Sequence, residues 1–388
     1  MIDLFKKFIC VFLVLSTITC ILPICTVAYD SLGLSAQASV VIEADSGRVV
    51  YGNNIDKKLS MASTTKIMTS LLALENCNLD EKFCVTDEMV RVEGTSMGLV
   101  GGDIVTMRAI VYGMLLQSGN DAANVAAFTM AGSLEDFSKM MNQRACEIGM
   151  NNTNFVTPSG LDAPEHYSTA YDMALLGAQA IKNPDFAEIC SSKTASVEYG
   201  NPPYSRKLYN HNKFLLQYEG AFGIKTGFTK KSGRCLVTAV TRDGVTLVAV
   251  TLNAPDDWND HAKLYNYAFS KVKSYNLKSD LSDITLDIVG SANSSVGVEM
   301  ITQPIASLFD GEAEKVKYDV LIKKFEYAPV EMGRIVGCVR YYLNGEVLCE
   351  APLTVCEDVA CITEISENGT TQFWCTVLKS FLRFFESL

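Results

Sequence analysis

The chain has 388 residues, 48% of them hydrophobic, and its 33 Lys and Arg stand against 44 Asp and Glu for a net charge of −11. That length permits two domains and a substantial buried core, and the hydrophobic fraction argues against wholesale disorder. The acidic balance argues against nucleic acid as a partner, because phosphate binding needs a basic face.

At the N-terminus, Lys6 and Lys7 precede an almost unbroken apolar run from Phe8 to Ile24, and Thr26-Val27-Ala28 supplies small residues before Tyr29. Residues 1–28 are therefore predicted to be a removable signal peptide, and the protein to be exported. An uncleaved anchor is the competing reading; the run is short for a span and contains Pro23. Three of the 13 cysteines, Cys10, Cys20 and Cys25, fall in this segment. The others are expected to be small buried hydrophobes kept as thiols. A two-residue loop at Asn344-Gly345 would place Cys349 opposite Arg340, making Cys338 and Cys349 only diagonal neighbours, a poor geometry for a bridge. No CxxC and no Cys/His cluster with zinc spacing occurs, so neither metal nor cofactor is expected.

Residues 38–55 read as a hairpin turning at Asp45-Ser46-Gly47. Ser63 to Glu75 reads as a helix apolar on most sides, hence buried. Helical stretches between Gly101 and Met130 are joined through Gln117-Ser118-Gly119-Asn120. The middle, to about residue 215, reads as a loop-rich patchwork with Pro158, Pro164, Pro202 and Pro203. A second hairpin pairs Cys235–Thr241 with Val245–Asn253 across Asp243-Gly244, and Asp260 to Val272 follows as an amphipathic helix. Strands at both ends of a helical middle predict an α/β domain over residues 29–275, with one antiparallel sheet assembled from both chain ends beside a helical cluster. Composition shifts near Leu277, and 277–364 reads as a small all-β domain. In the tail, Phe373, Trp374, Val377, Leu378, Phe381, Leu382, Phe384, Phe385 and Leu388 share one half of a helical wheel, so 370–388 is predicted to be an amphipathic helix lying on a membrane surface.

Three short motifs carry chemistry. In Ser63-Thr64-Thr65-Lys66, at the start of the buried helix, residues three apart share a face, so the Lys66 amine can reach the Ser63 hydroxyl. Ser118-Gly119-Asn120 offers a hydroxyl to relay protons and an amide to hold a substrate carbonyl. Lys225-Thr226-Gly227 supplies a cation and a hydroxyl for a carboxylate, with a glycine that would let a substrate backbone approach. Singly these are weak: another Ser-x-x-Lys begins at Ser270, and Ser-x-Asn recurs at Ser274, Ser291 and Ser366. The ordered trio, at a helix start, a helical junction and a strand, is specific.

With these motifs the chain resembles the penicillin-binding proteins and, within them, the low-molecular-mass serine D-alanyl-D-alanine carboxypeptidases. The similarity runs from about Ala38 onward and includes Ala62–Thr69, Leu116–Ala123, Gly223–Gly227 and Asn253–Trp258. It implies a β-lactamase/transpeptidase-like fold and cleavage of the terminal D-Ala-D-Ala bond of peptidoglycan stem peptides. Ser63 would be the nucleophile, Lys66 its base and Ser118 the proton relay. Asn120, Lys225, Thr226 and Gly227 would bind substrate, and the N–H groups of Ser63 and Phe228 would form the oxyanion hole. Burial and the Lys225 cation should lower the Lys66 pKa. β-Lactam antibiotics would acylate the same serine, at the outer face of the cell membrane. Three alternatives remain open: a β-lactamase, although class A enzymes carry Asp where this chain has Gly119; a D,D-endopeptidase cutting cross-links; and a catalytically dead wall-binding protein.

Overall fold

A computed structural model describes residues 32–362. The first hairpin forms as predicted from Ala38–Glu43 (β1) and Val49–Asn53 (β2). All six residues of β1 are buried, since this strand lies inside the sheet with a neighbour on each side. A 3-10 turn at Ala62–Thr65 leads into α1, Lys66–Asn76. The sequence reading began the α-helix at Ser63. The tighter winding instead sets Ser63 and Thr64 on the turn that feeds the helix. Ile67, Met68, Leu71 and Ala73 are fully or almost fully buried, as an all-round apolar helix requires.

Short strands Lys82–Cys84 (β3) and Ile104–Thr106 (β4) precede α2, Met107–Leu115, which is capped by Thr106 accepting from the Ala109 N–H. Helix α3, Asn120–Ala131, follows directly after the Ser118-Gly119 junction.

The middle is not a loop patchwork. It holds α4 (Leu134–Ile148), α5 (Ala170–Ala180), α6 (Pro184–Ser191) and the hairpin of β5 (Thr194–Gly200) with β6 (Pro203–Tyr209). Ser133, Thr169 and Asn183 each cap a helix with a side-chain oxygen, and Pro184 sits in the first turn, where no N–H partner is lost. Pro203 begins β6, while Pro158 and Pro164 stay in the irregular stretch between α4 and α5, the part of the middle that is loop as expected.

A four-residue helix, Phe214–Gln217 (α7), introduces β7 (Ala221–Thr229), β8 (Gly233–Arg242) and β9 (Val245–Leu252). The sheet runs β2-β1-β9-β8-β7, all antiparallel, so both chain ends build it as expected. Helix α5 presses Gly177 onto one face, where an added Cβ would stand 3.1–3.2 Å from Val248, Ile224 and Val237. On the other face lies α8, Asp257–Lys271, whose buried His261 bonds to Thr238 and Thr251 of the sheet at 2.7 and 3.0 Å.

From Val272 onward the regular structure of the described chain is strand apart from a 3-10 turn at Ala313–Lys315. Val272–Asn276 (β10) pairs with Ile305–Phe309 (β13). Thr285–Val289 (β11), Ser295–Met300 (β12), Val316–Ile322 (β14), Phe325–Tyr327 (β15), Ile335–Leu343 (β16) and Glu346–Val355 (β17) form a six-stranded sheet. Its register corrects one sequence expectation. A bulge between Tyr341 and Tyr342 places Cys349 opposite Tyr341, not Arg340. All nine described cysteines are free thiols; only Cys190 and Cys235 are buried, while Cys84, Cys146 and Cys361 are exposed. The expectation of buried small hydrophobes therefore holds for two of them. The predicted signal segment 1–28 and the predicted amphipathic helix 370–388 lie outside the described residues. Among the described residues no helix is long and apolar enough to cross a membrane.

Candidate active site

The three motifs converge where the 3-10 turn meets the outer strand of the sheet. Gly227 is the reason they can. A Cβ on it would lie 3.0–3.1 Å from the Met61 carbonyl oxygen and the Ser63 and Thr64 nitrogens, so only a glycine lets β7 lie directly along the nucleophile turn. This differs from the role read in the sequence, where the glycine made room for substrate. Here its bare face is already occupied by the Ser63 backbone.

Lys66 is fully buried, and its amine has three partners: Ser63 Oγ at 2.9 Å, Asn120 Oδ1 at 2.7 Å and the Ser159 carbonyl at 2.7 Å. Asn120 is held in turn, its Nδ2 donating to the Glu93 carbonyl at 2.7 Å. Both ends of this amide therefore bond to protein, and it serves Lys66 directly. Burial pushes the Lys66 pKa well below its ordinary value and the nearby Lys225 cation lowers it further, while Asp121 acts in the opposite direction. Lys225, itself 1% exposed, is lowered by burial to about 7; its amine donates to the Thr226 carbonyl at 2.9 Å.

Above this buried layer opens a cleft of about 390 Å³. Ser63, Ser118, Thr226, Gly227 and Phe228 line it, with Thr95, His211, Lys213, Arg234, Asp257 and Trp258. Ser118 has φ +59, a left-handed backbone uncommon for a non-glycine residue, at the junction that brings its side chain to the cleft. The structure thus brings all eight sequence-predicted residues together: five on the cleft wall, with Lys66, Asn120 and Lys225 beneath it.

Sequence reasoning missed the segment Pro158-Ser159-Gly160. Thr69 Oγ1 donates to the Pro158 carbonyl at 2.6 Å, Lys66 to that of Ser159, and a Cβ on Gly160 would fall 1.9 Å from the Ala62 carbonyl oxygen. A Pro-Ser-Gly turn signal is visible there, but nothing local tells that a main-chain oxygen faces a lysine 93 residues away. It also gave no role to Arg234, whose guanidinium donates to Asp257 Oδ1 at 2.8 and 3.0 Å and lies over Trp258. Among the described residues no group of three His, Cys, Asp or Glu could hold a metal ion.

A serine at a helix start, its hydroxyl on a buried amine in a cleft between helical cluster and antiparallel sheet, defines a serine acyl-transfer enzyme. The comparisons sharpen that class. The family model for D-alanyl-D-alanine carboxypeptidases matches residues 26–256. The carboxypeptidase DacC of Escherichia coli is 32% identical over 379 residues, 92% of this chain and 91% of its own length. DacF of Bacillus subtilis is 30% identical over 85% of this chain and 87% of its own. Penicillin-binding protein 5 from Haemophilus influenzae superposes with a TM-score of 0.61 at 27% identity, covering 84% of this chain and 98% of that structure. The chain belongs to the D-alanyl-D-alanine carboxypeptidase family, the penicillin-binding serine peptidases of the cell wall.

Proposed function

We propose that Ser63 is the nucleophile that removes the terminal D-alanine from peptidoglycan stem peptides, with Lys66 as its base. The observation that carries this is the partner set of the Lys66 amine. Two of its three partners, Asn120 Oδ1 and the Ser159 carbonyl, can only accept. A neutral amine has two N–H groups and one lone pair. Once both hydrogens go to those acceptors, the lone pair faces the third partner, the Ser63 hydroxyl. Burial and Lys225 both favour that neutral form.

In the reaction the Ser63 O–H proton passes to Lys66 as Oγ bonds to the carbonyl carbon between the two D-alanines. The C–N bond breaks, and Ser118 relays the proton to the leaving D-alanine amine. Water then hydrolyses the acyl-enzyme. Lys225 and Thr226 hold the terminal carboxylate, and the N–H groups of Ser63 and Phe228 donate to the developing oxyanion. A penicillin presents the same kind of carbonyl and acylates Ser63. The test is mass spectrometry of muropeptides digested with purified protein: loss of one terminal D-alanine is expected, and loss of cross-links instead would establish the endopeptidase. Ser63→Ala should abolish both turnover and the penicillin adduct.

The strands from Val272 onward form a small β-rich unit, 277–364 in our reading, set after the 29–275 peptidase domain. Residues 1–28 direct export, and 370–388 hold the enzyme on the outer face of the cell membrane, beside a substrate fixed in the wall. The support for this arrangement is the sequence pattern of the two termini.

A further inference from the structure

Asp121 follows the Ser118-Gly119-Asn120 motif and is 3% exposed, yet among the described residues it makes no ion pair. Its carboxylate is satisfied almost wholly by one short segment. Oδ2 accepts from Ser96 Oγ at 2.6 Å and from the Gly98 and Leu99 N–H groups at 3.0 Å each; Oδ1 accepts from the Met97 N–H at 2.9 Å. The Ala122 N–H adds a fifth bond at 2.9 Å. A carboxylate that accepts several N–H groups at once is fixed in place and resists displacement.

The segment it grips is the one that orients Asn120. Just upstream of Ser96, the Thr95 carbonyl accepts from the Asn120 N–H and the Glu93 carbonyl from Asn120 Nδ2, both at 2.7 Å. Gly94, at φ +91, passes so close that a Cβ would stand 2.6 Å from Nδ2. Asn120 Oδ1 in turn receives Lys66. The β5–β6 hairpin braces the outside: Tyr199 donates to the Met97 carbonyl at 2.5 Å and Arg206 to that of Gly98 at 3.1 Å.

We infer that Asp121 is a positioning residue for the acylation step: its carboxylate fastens segment 93–99 against α3 and so fixes the Asn120 amide that aims Lys66 at Ser63. The inference rests on Lys66 being the base. Asp121 also acts on that base through space. The charged groups that face the Lys66 amine are Lys225 on β7 and Asp121 on α3, and they pull its proton affinity in opposite directions. Neutralising Asp121 removes the one that raises it.

The test is the pH profile of second-order penicillin acylation for the full chain, Asp121→Asn and Ser96→Ala. Asp121→Asn should acylate about tenfold or more slowly, because misplacing a catalytic group by a fraction of an ångström costs at least that. Its acidic limb should also move to lower pH. Ser96→Ala keeps the charge and the backbone bonds, so it should lose less and leave the limb in place. A wild-type rate and limb in Asp121→Asn overturn the inference, as do equal losses in both variants with no movement of the limb. Should Asp121→Asn fail to fold, the double variant Ser96→Ala/Tyr199→Phe loosens the same segment without altering charge; unchanged acylation there overturns the inference equally. A wild-type profile with no acidic limb would refute Lys66 as base and remove the inference with it.

Discussion

Gly227 and Ser63 touch through their backbones: a Cβ placed on the glycine would lie 3.1 Å from the serine nitrogen. The strand proposed to bind substrate and the turn proposed to carry the nucleophile are therefore set by one contact. Their separation governs how a carbonyl bound along β7 meets the Ser63 oxygen.

Gly227→Ala should consequently harm chemistry as well as folding. The methyl group meets three backbone atoms at 3.0–3.1 Å, none of which can rotate away, so the strand and turn must part by a few tenths of an ångström. Overpacking of this kind costs about 1–3 kcal/mol of stability. The same displacement, at a site where about 1 Å costs a hundredfold, should slow acylation by roughly tenfold. Thermal melts alongside penicillin labelling rates would separate the two effects. A variant that melts far lower yet labels normally would contradict this reading.

Lys66→Arg tests the base. Arginine keeps the positive charge but stays protonated at any pH the enzyme meets, so it offers no lone pair to the Ser63 hydroxyl. Acylation should fall by orders of magnitude, about a hundredfold or more for the loss of a general base. Because Lys66 is fully buried, circular dichroism must show that the larger side chain is accommodated. Near-normal labelling by a folded variant would transfer the role of base to Ser118.

How much of this could be read from the sequence depended on range. Asp243-Gly244 announced the β8–β9 hairpin because a two-residue turn with φ of +50 and +79 needs those residue types. The Ser63–Lys66 pair was legible because three residues along a helix is a fixed distance. Ser159 and Asp121 were not, since their partners come from segments 93 and 22–25 residues away and no local pattern records the meeting. Pro203 misled for a different reason. It begins a strand after a two-residue bend, so one residue taken as a loop marker was sitting at a legal terminal position, whereas Pro158 and Pro164 do lie in the loop between α4 and α5. The bulge at Tyr341 and Tyr342 shifted a register that the Asn344-Gly345 turn alone would have set otherwise.

The tail yields a prediction from periodicity. With nine apolar residues on one half of a helical wheel and Thr376, Lys379, Ser380, Arg383, Glu386 and Ser387 on the other, residues 370–388 suit a membrane interface. Mature protein should cosediment with liposomes. A chain ending at Gly369 should stay in the supernatant while acylating penicillin at the intact rate. Equal sedimentation of both, or unfolding of the shorter chain, would rule out the segment as the anchor.

Lys225 should give the enzyme an alkaline limit. Burial lowers its amine, 1% exposed, to about 7, and only the protonated form attracts a substrate carboxylate. Lys66 must instead be neutral, so kcat/KM should rise as Lys66 loses its proton and fall as Lys225 does, giving a bell whose descending limb lies near pH 7. Substrate already bound would hold the Lys225 proton, so kcat alone should fall later than kcat/KM. Folding runs the other way. Between about 7 and the ordinary lysine value of 10.5 the unfolded chain binds a proton at this position that the native chain does not, so the contribution of Lys225 to stability increases with pH across that window. Rising pH thus relieves the burial of Lys225 while removing the charge that binds substrate. Lys225→Arg, charged throughout, should erase the descending limb, at a lower overall rate because a bulkier group enters a filled site. Profiles of kcat/KM for both proteins from pH 5 to pH 10 decide the matter, and a descending limb that survives in Lys225→Arg would assign it to another group.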